Sequence, residues 1–192
     1  MKKLSGGLIA LIVIVVIVVL LGGWAFSSYN GLAAASEAVA TGQASIDTQL
    51  QRRADLIPNL VAMVKNFAAH ETEIIDSVTE ARAQLAGAST MAEKAEADGE
   101  LSSALNRLMV VVENYPELKS DATYTSLMDE LAGTENRIAV ARDDYNAIVR
   151  SYNTKVITFP GRIFAGMFGF EKAEYFQASE GAQNAPDVGE LF

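Results

Sequence analysis

Residues 121–158 read DATYTSLMDELAGTENRIAVARDDYNAIVRSYNTKVIT. Within them Tyr124, Leu127, Leu131, Thr134, Ile138, Ala141, Tyr145, Ile148 and Tyr152 follow one another at alternating steps of three and four. Those steps bracket the 3.6-residue helical turn, so the nine side chains form one narrow stripe along a long helix. A seam of this heptad type must be covered along its length by near-parallel or antiparallel helices. Asp121 offers an N-cap and Pro160 a stop. The fold therefore has to be read as helix against helix.

The flanking sequence supplies the partners. Leu101, Leu105, Leu108, Val112 and Tyr115 repeat the seam spacing and predict a helix over 92–114, closed by Pro116 with a short link to Ser120. Leu60, Val64, Phe67, Ile74, Val78, Ala81 and Leu85 stripe a helix over 58–86, interrupted at His70 and Glu71. Val39, Ile46 and Leu50 mark a sparser helix over 28–54. Pro58 either opens a new helix in its first turn or kinks one very long helix. The first reading is preferred, because four segments can close an antiparallel four-helix bundle. No stretch shows sustained period-two alternation, so the class is all-α.

The N-terminal end is of a different kind. From Leu8 to Phe26, only Gly22 and Gly23 are not apolar, and no charge occurs between Lys3 and Glu37. At about 1.5 Å per residue the run covers roughly 28 Å, close to the hydrocarbon thickness of a bilayer. It predicts one transmembrane helix over 8–26, with Trp24, Phe26 and Tyr29 at its headgroup end. A cleaved signal peptide is the rival reading, with Lys2 and Lys3 as n-region and Ala33–Ala35 as a cleavage pattern. The apolar run exceeds the usual h-region of ~7–15 residues and the alanines lie beyond its end, so a retained anchor is preferred.

Charge sets the expected topology. Lys2 and Lys3 precede the span and no base follows until Arg52. The positive-inside rule then leaves 1–7 in the cytoplasm and exports 27–192, in a single-pass protein of the inner membrane. All 24 acids but only 13 of the 15 bases lie beyond the span, so the exported part carries about −11. Such a surface excludes nucleic acid as a partner and is repelled by anionic lipid.

The exported part divides into a bundle over 27–158 and a terminal segment over 159–192. Phe159, Pro160, Ile163, Phe164, Met167, Phe168 and Phe170 form a cluster read either as an interfacial membrane anchor or, preferred, as a short helix plugging the bundle's open end. The chain then turns polar before Pro186, Val188, Leu191 and Phe192, a candidate docking tail or a simple disordered end.

Catalytic signals fail one by one. The chain has no cysteine and one histidine. His70-Glu71 would need a second histidine at position 74, which is Ile74, so the zincin pattern is broken. A di-iron Glu-x-x-His pair would need Glu where Phe67 stands. Glu93, Glu96, Asp98 and Glu100 lack the spacing of a calcium loop and read as a solvated face. No nucleotide or hydrolase fingerprint occurs. The expectation is a protein without enzyme activity or cofactor.

Polar residues of another kind remain. Arg52, Arg53, Asp55 and Asn59 crowd around Pro58, while Glu135, Asn136 and Arg142 sit on the last helix beside Tyr145-Asn146 and Tyr152-Asn153. They are candidates for a structural network of Arg–carboxylate pairs that fixes helix register, with a binding site as the other reading.

The strings Gln49–Val61, His70-Glu71, Leu101–Leu108, Tyr115–Lys119, Gly133–Ala139, Ala141-Arg142, Tyr145-Asn146, Tyr152-Asn153 and Phe159-Pro160, in that order, resemble the bacterial LemA family. The resemblance covers nearly all of the chain beyond the anchor. It implies a single-pass membrane protein with a helical domain and supplies no activity or catalytic residues. A magnetosome branch of the family suggests scaffolding or membrane remodelling by analogy. Family members often carry an aromatic where Gly42 or Ala44 stands here, which implies looser packing near the membrane. The expected partners are the lipid bilayer, further copies of the same chain in a homo-oligomer, and an envelope protein such as a membrane protease.

Overall fold

A computed structural model describes residues 6–68 and 70–177. Lys2, Lys3 and the candidate tail Pro186–Phe192 lie outside the described residues. Within these, six helices and no strand are found: α1 (Gly6–Phe67), α2 (Thr72–Gly87), α3 (Met91–Val112), α4 (Pro116–Lys119), α5 (Ala122–Ile157) and α6 (Gly161–Phe168). The chain forms two compact units, Met1–Thr41 with Ile148–Ala173, and Gly42–Ala147 with Glu174–Phe192.

The larger unit is an up-down-up-down arrangement of α1 after Gly42, α2, α3 and α5 up to Ala147. Its core holds most of the expected stripes: Ile46, Leu60 and Val64 on α1, Val78 and Leu85 on α2, Leu101 and Leu108 on α3, Leu131, Thr134 and Ile138 on α5. Of the expected residues Phe67 is exposed and Ile74 half-buried, while Ala68 and Ile75 are the buried neighbours, because the helix breaks between them. Burying each large aliphatic chain is worth about 1.5–3 kcal/mol, and four such stripes converge. Helix directions follow from paired charges. Asp47 meets Lys94 and Arg53 meets Asp98, so α1 and α3 run the same way.

The helix ends are set locally. Thr90 Oγ1 accepts from the Glu93 N–H while the Glu93 carboxylate accepts from the Thr90 N–H, a reciprocal capping box at the start of α3. Asp121 Oδ1 accepts from the N–H groups of Thr123 and Tyr124, at 2.8 and 3.1 Å, and so opens α5 as expected. Both carboxyls are held below their ordinary range by these backbone N–H donors, Glu93 at about 2.

The preferred reading of Pro58 is corrected. α1 continues through it to Phe67, the single-helix alternative, and the next helix begins only at Thr72. Proline lacks the N–H that would bond the carbonyl of Ala54, one turn earlier, and inside a helix this normally breaks the ladder. Here Arg82 on α2 supplies the missing donor: its Nε donates to the Ala54 carbonyl at 2.8 Å. The orphan acceptor is satisfied by a neighbouring helix, so the helix continues.

The smaller unit contains α1 before Gly42, the end of α5, α6 and the chain to Ala173. Among the described residues α1 is the one helix long and apolar enough to cross a membrane. Its aliphatic run Leu8–Leu21 is exposed on every side, an arrangement suited to lipid rather than to a protein core. On α5 the apolar stripe drifts. Val149 rather than Ile148 is fully buried, followed by Tyr152 and Val156, because a straight helix of 3.6 residues per turn rotates away from a strict heptad.

After α5, Gly161 passes so close to the Lys155 carbonyl that a Cβ there would collide with it. Helix α6 follows and ends on Gly169, whose φ of 75° is left-handed. The segment does form the short helix expected of it, packed within the smaller unit. Phe164 packs edge-on against Trp24 at 5.3 Å, and Phe168 against Tyr29 at 5.1 Å, so α6 lies against the aromatic end of the apolar run.

Candidate functional site

The larger unit contains a buried charge cluster built on α1, α3 and α5. Asp98, 1% exposed, lies at its centre. Its Oδ1 accepts from Arg53 Nη1 at 2.7 Å and its Oδ2 accepts from Arg142 Nη2. Arg53 Nη1 also meets Glu135 Oε2 at 2.6 Å. Two guanidiniums and two carboxylates thus balance in charge, and each helix contributes at least one member. Arginine suits this role because its fork stays protonated and binds two carboxylates at once.

Of the seven candidate network residues, the structure brings together Arg53, Glu135 and Arg142. Arg52 points elsewhere and pairs with Glu130 at 2.9 Å on the surface. Asp55 accepts from Gln51 Nε2 one turn back along α1. Asn59 and Asn136 are exposed. The central residue was misread. Asp98 belongs to the Glu93–Glu100 run taken for a solvated face, yet it is buried. Its position among Ala95, Ala97, Leu101 and Leu105, all core residues, was the available signal.

The cluster is covered by the returning chain. After α6, residues 170–177 run extended. In the larger unit Asn146 Nδ2 donates to the Phe176 carbonyl and its Oδ1 accepts from the Phe176 N–H, both at 2.9 Å. Tyr145 Oη donates to the Glu174 carbonyl. Burial and the Glu174 carboxylate raise the Tyr145 phenol's pKa. This places the Phe176 ring, buried, 4.7 Å from the Arg142 guanidinium in a cation–π contact.

The same device recurs in the smaller unit. Asn153 exchanges two hydrogen bonds with Ala173, at 2.9 and 2.8 Å, and Tyr152 Oη donates to the Glu171 carbonyl. An asparagine amide presents one donor and one acceptor, as a strand neighbour does, and so pairs with an extended backbone from a helix. Seven helical residues advance about as far as three extended ones, roughly 10 Å, which suits the repeat of Tyr-Asn on α5 against positions 171/173 and 174/176.

Other features are plain. His70 is exposed in the turn before α2, and Tyr115 Oη donates to Glu71 Oε1 at 3.1 Å beside it. Among the described residues no group of three His, Cys, Asp or Glu side chains is placed to hold a metal. Between α2 and α3 lies an open groove of about 1040 Å³, floored by small residues such as Ala81, Ala95 and Gly99, with Glu96, Glu100 and Arg107 along it.

Comparison with known proteins identifies the family. The profile of the LemA family matches residues 42–189. Magnetosome protein MamQ 2 and magnetosome protein MamQ 1 of Paramagnetospirillum magneticum are each 31% identical, over 85% of this chain and 70% of their own. Protein LemA of Metamycoplasma hominis is 29% identical over 73% of this chain and 64% of its own. The buried cluster, the Tyr-Asn pairs and Pro58 all fall inside the matched region, and this chain belongs to the LemA family.

Proposed function

We propose that this protein is a membrane-anchored, self-associating scaffold of the bacterial cell envelope, working without catalysis. The observation that carries the reading is α1. One helix leads from the apolar run into the bundle without a break, and Arg82 protects its weak point at Pro58. Its aliphatic run Leu8–Leu21, exposed on every side, suits a lipid environment and supports the anchor. The buried charges fit a structural role, since Asp98 is engaged on both oxygens by helix-tying arginines. The N-terminus lies in the cytoplasm, the span in the inner membrane, and the helical domain outside.

Self-association uses exposed apolar side chains of the larger unit, Val110 on α3 and Val140 on α5, which are 67% and 61% exposed. The chain has no cysteine, so any thiol crosslink reports an introduced position. Val110→Cys and Val140→Cys, treated in native membranes with a bifunctional thiol reagent, should give dimers and larger species of this chain. Monomer alone from both variants counts against the scaffold. Deleting Pro186–Phe192 tests the tail separately, and unchanged assembly removes it from the reading.

A second reading is an adaptor or sensor module that engages another envelope protein, such as a membrane protease. The open α2–α3 groove favours it. Crosslinking from Gln84→Cys, in the groove wall, would then capture a foreign chain in place of a second copy.

A further inference from the structure

Helix α6 has two faces. Phe164 and Ala165 are buried, and Phe164 meets Trp24 while Phe168 and Phe170 meet Tyr29. The other face shows Ile163 and Met167, one turn apart, with exposures of 54% and 65%, and Phe159, in the turn just before the helix, is 79% exposed. Three large exposed apolar groups within nine residues need an explanation.

Position and charge supply it. Trp24 is three residues past Leu21, the last of the unbroken aliphatic run, so about 4.5 Å beyond it along the helix. That is where aromatic rings favour the headgroup layer, and α6 is packed at the same level. The exported part is acidic as a whole, yet residues 148–173 hold Arg150, Lys155, Arg162 and Lys172 against Glu171 alone. Lys155, at the end of α5, and Arg162, in the first turn of α6, are both exposed.

We propose that α6 is an interfacial membrane helix: Phe159, Ile163 and Met167 insert among the lipid chains of the outer leaflet, and Lys155 and Arg162 meet anionic headgroups. The general repulsion expected of an acidic domain is reversed at this one place. An amphipathic helix of this kind lies flat in the interface, its apolar face about 5–10 Å deep. This inference rests on the proposed membrane anchoring and orientation but not on self-association.

The test uses the full chain in vesicles of phosphatidylcholine, with and without an equal share of phosphatidylglycerol. Ile163→Cys, Met167→Cys and, as control, Val140→Cys each carry one environment-sensitive fluorophore. Lipids with a nitroxide near the headgroup should quench the labels at 163 and 167 several-fold more than that at 140, and iodide in the water should quench them several-fold less. Lys155→Glu with Arg162→Glu should lower the lipid quenching most in phosphatidylglycerol. Labels at 163 and 167 that iodide reaches as readily as 140 overturn the proposal. So do labels shielded from both quenchers, which would mean that protein covers this face.

Discussion

Replacing Arg82 should injure this protein in a way that depends on Pro58. The Arg82 Nε donates to the carbonyl of Ala54, a residue 4% exposed, which Pro58 leaves without its helical partner. Arg82→Met keeps much of the stem and removes the donor. A hydrogen bond from a charged donor is worth about 1.5–3 kcal/mol, and a carbonyl stranded in the interior costs a similar amount. With a urea slope of about 2 kcal/mol per molar, a loss of 2 kcal/mol moves the unfolding midpoint by roughly 1 M. Pro58→Ala restores an N–H at position 58, which can bond Ala54 in the ordinary way. In that background Arg82→Met should cost under about 1 kcal/mol, a coupling of about 1–2 kcal/mol. The assay is urea unfolding followed by helical circular dichroism in a mild detergent, on wild type, both single variants and the double variant. Equal costs of Arg82→Met in the two backgrounds would refute the idea that Arg82 allows the helix to pass its proline.

Other outcomes follow from the same structure. Asp98→Asn leaves Arg53 and Arg142 poorly paired in the interior and should cost about 3–5 kcal/mol, whereas Glu130→Ala, which breaks only the exposed pair with Arg52, should cost at most about 1 kcal/mol by the same urea titration. Asn153→Ala removes both hydrogen bonds to Ala173 and should speed tryptic cleavage after the exposed Lys172, a change read by mass spectrometry; an unchanged cleavage rate would mean the extended segment is held by other contacts. Glu93 has its pKa lowered from 4.5 to about 2 in the folded protein, so its capping contribution is complete above pH 4.5 and is lost as the pH falls towards 2. Glu93→Gln should therefore flatten part of the fall in urea midpoint across that acid window, and a variant with the wild-type pH profile would count against the cap.

Much of the architecture was legible because helix seams are periodic. The stripes on α3 and α5, the cap at Asp121 and the apolar span are local patterns, and each needs only the 3.6-residue turn or the thickness of a bilayer to be read. Pro58 was misread because its rescue is not local: Arg82 lies 24 positions away, and nothing near the proline announces it. Asp98 was misread for a related reason. Its neighbours Glu96 and Glu100 are exposed, so the run looks solvated unless its position on the apolar stripe is followed residue by residue. The Tyr-Asn pairs could be singled out as unusual, but their partner is bare backbone, which carries no side-chain signature. The aromatic segment after Pro160 was recognised as a unit, while its seat on Trp24 and Tyr29 rests on contacts between residues more than a hundred positions apart.

The central proposal is that the protein works by assembling with copies of itself in a membrane. Its mass should be measured in nanodiscs cut directly from the membrane, without detergent exchange. The account predicts particles with two or more copies of the 20.5 kDa chain, persisting after dilution. Particles that hold one copy each, across the range of membrane densities at which the protein occurs, would contradict it.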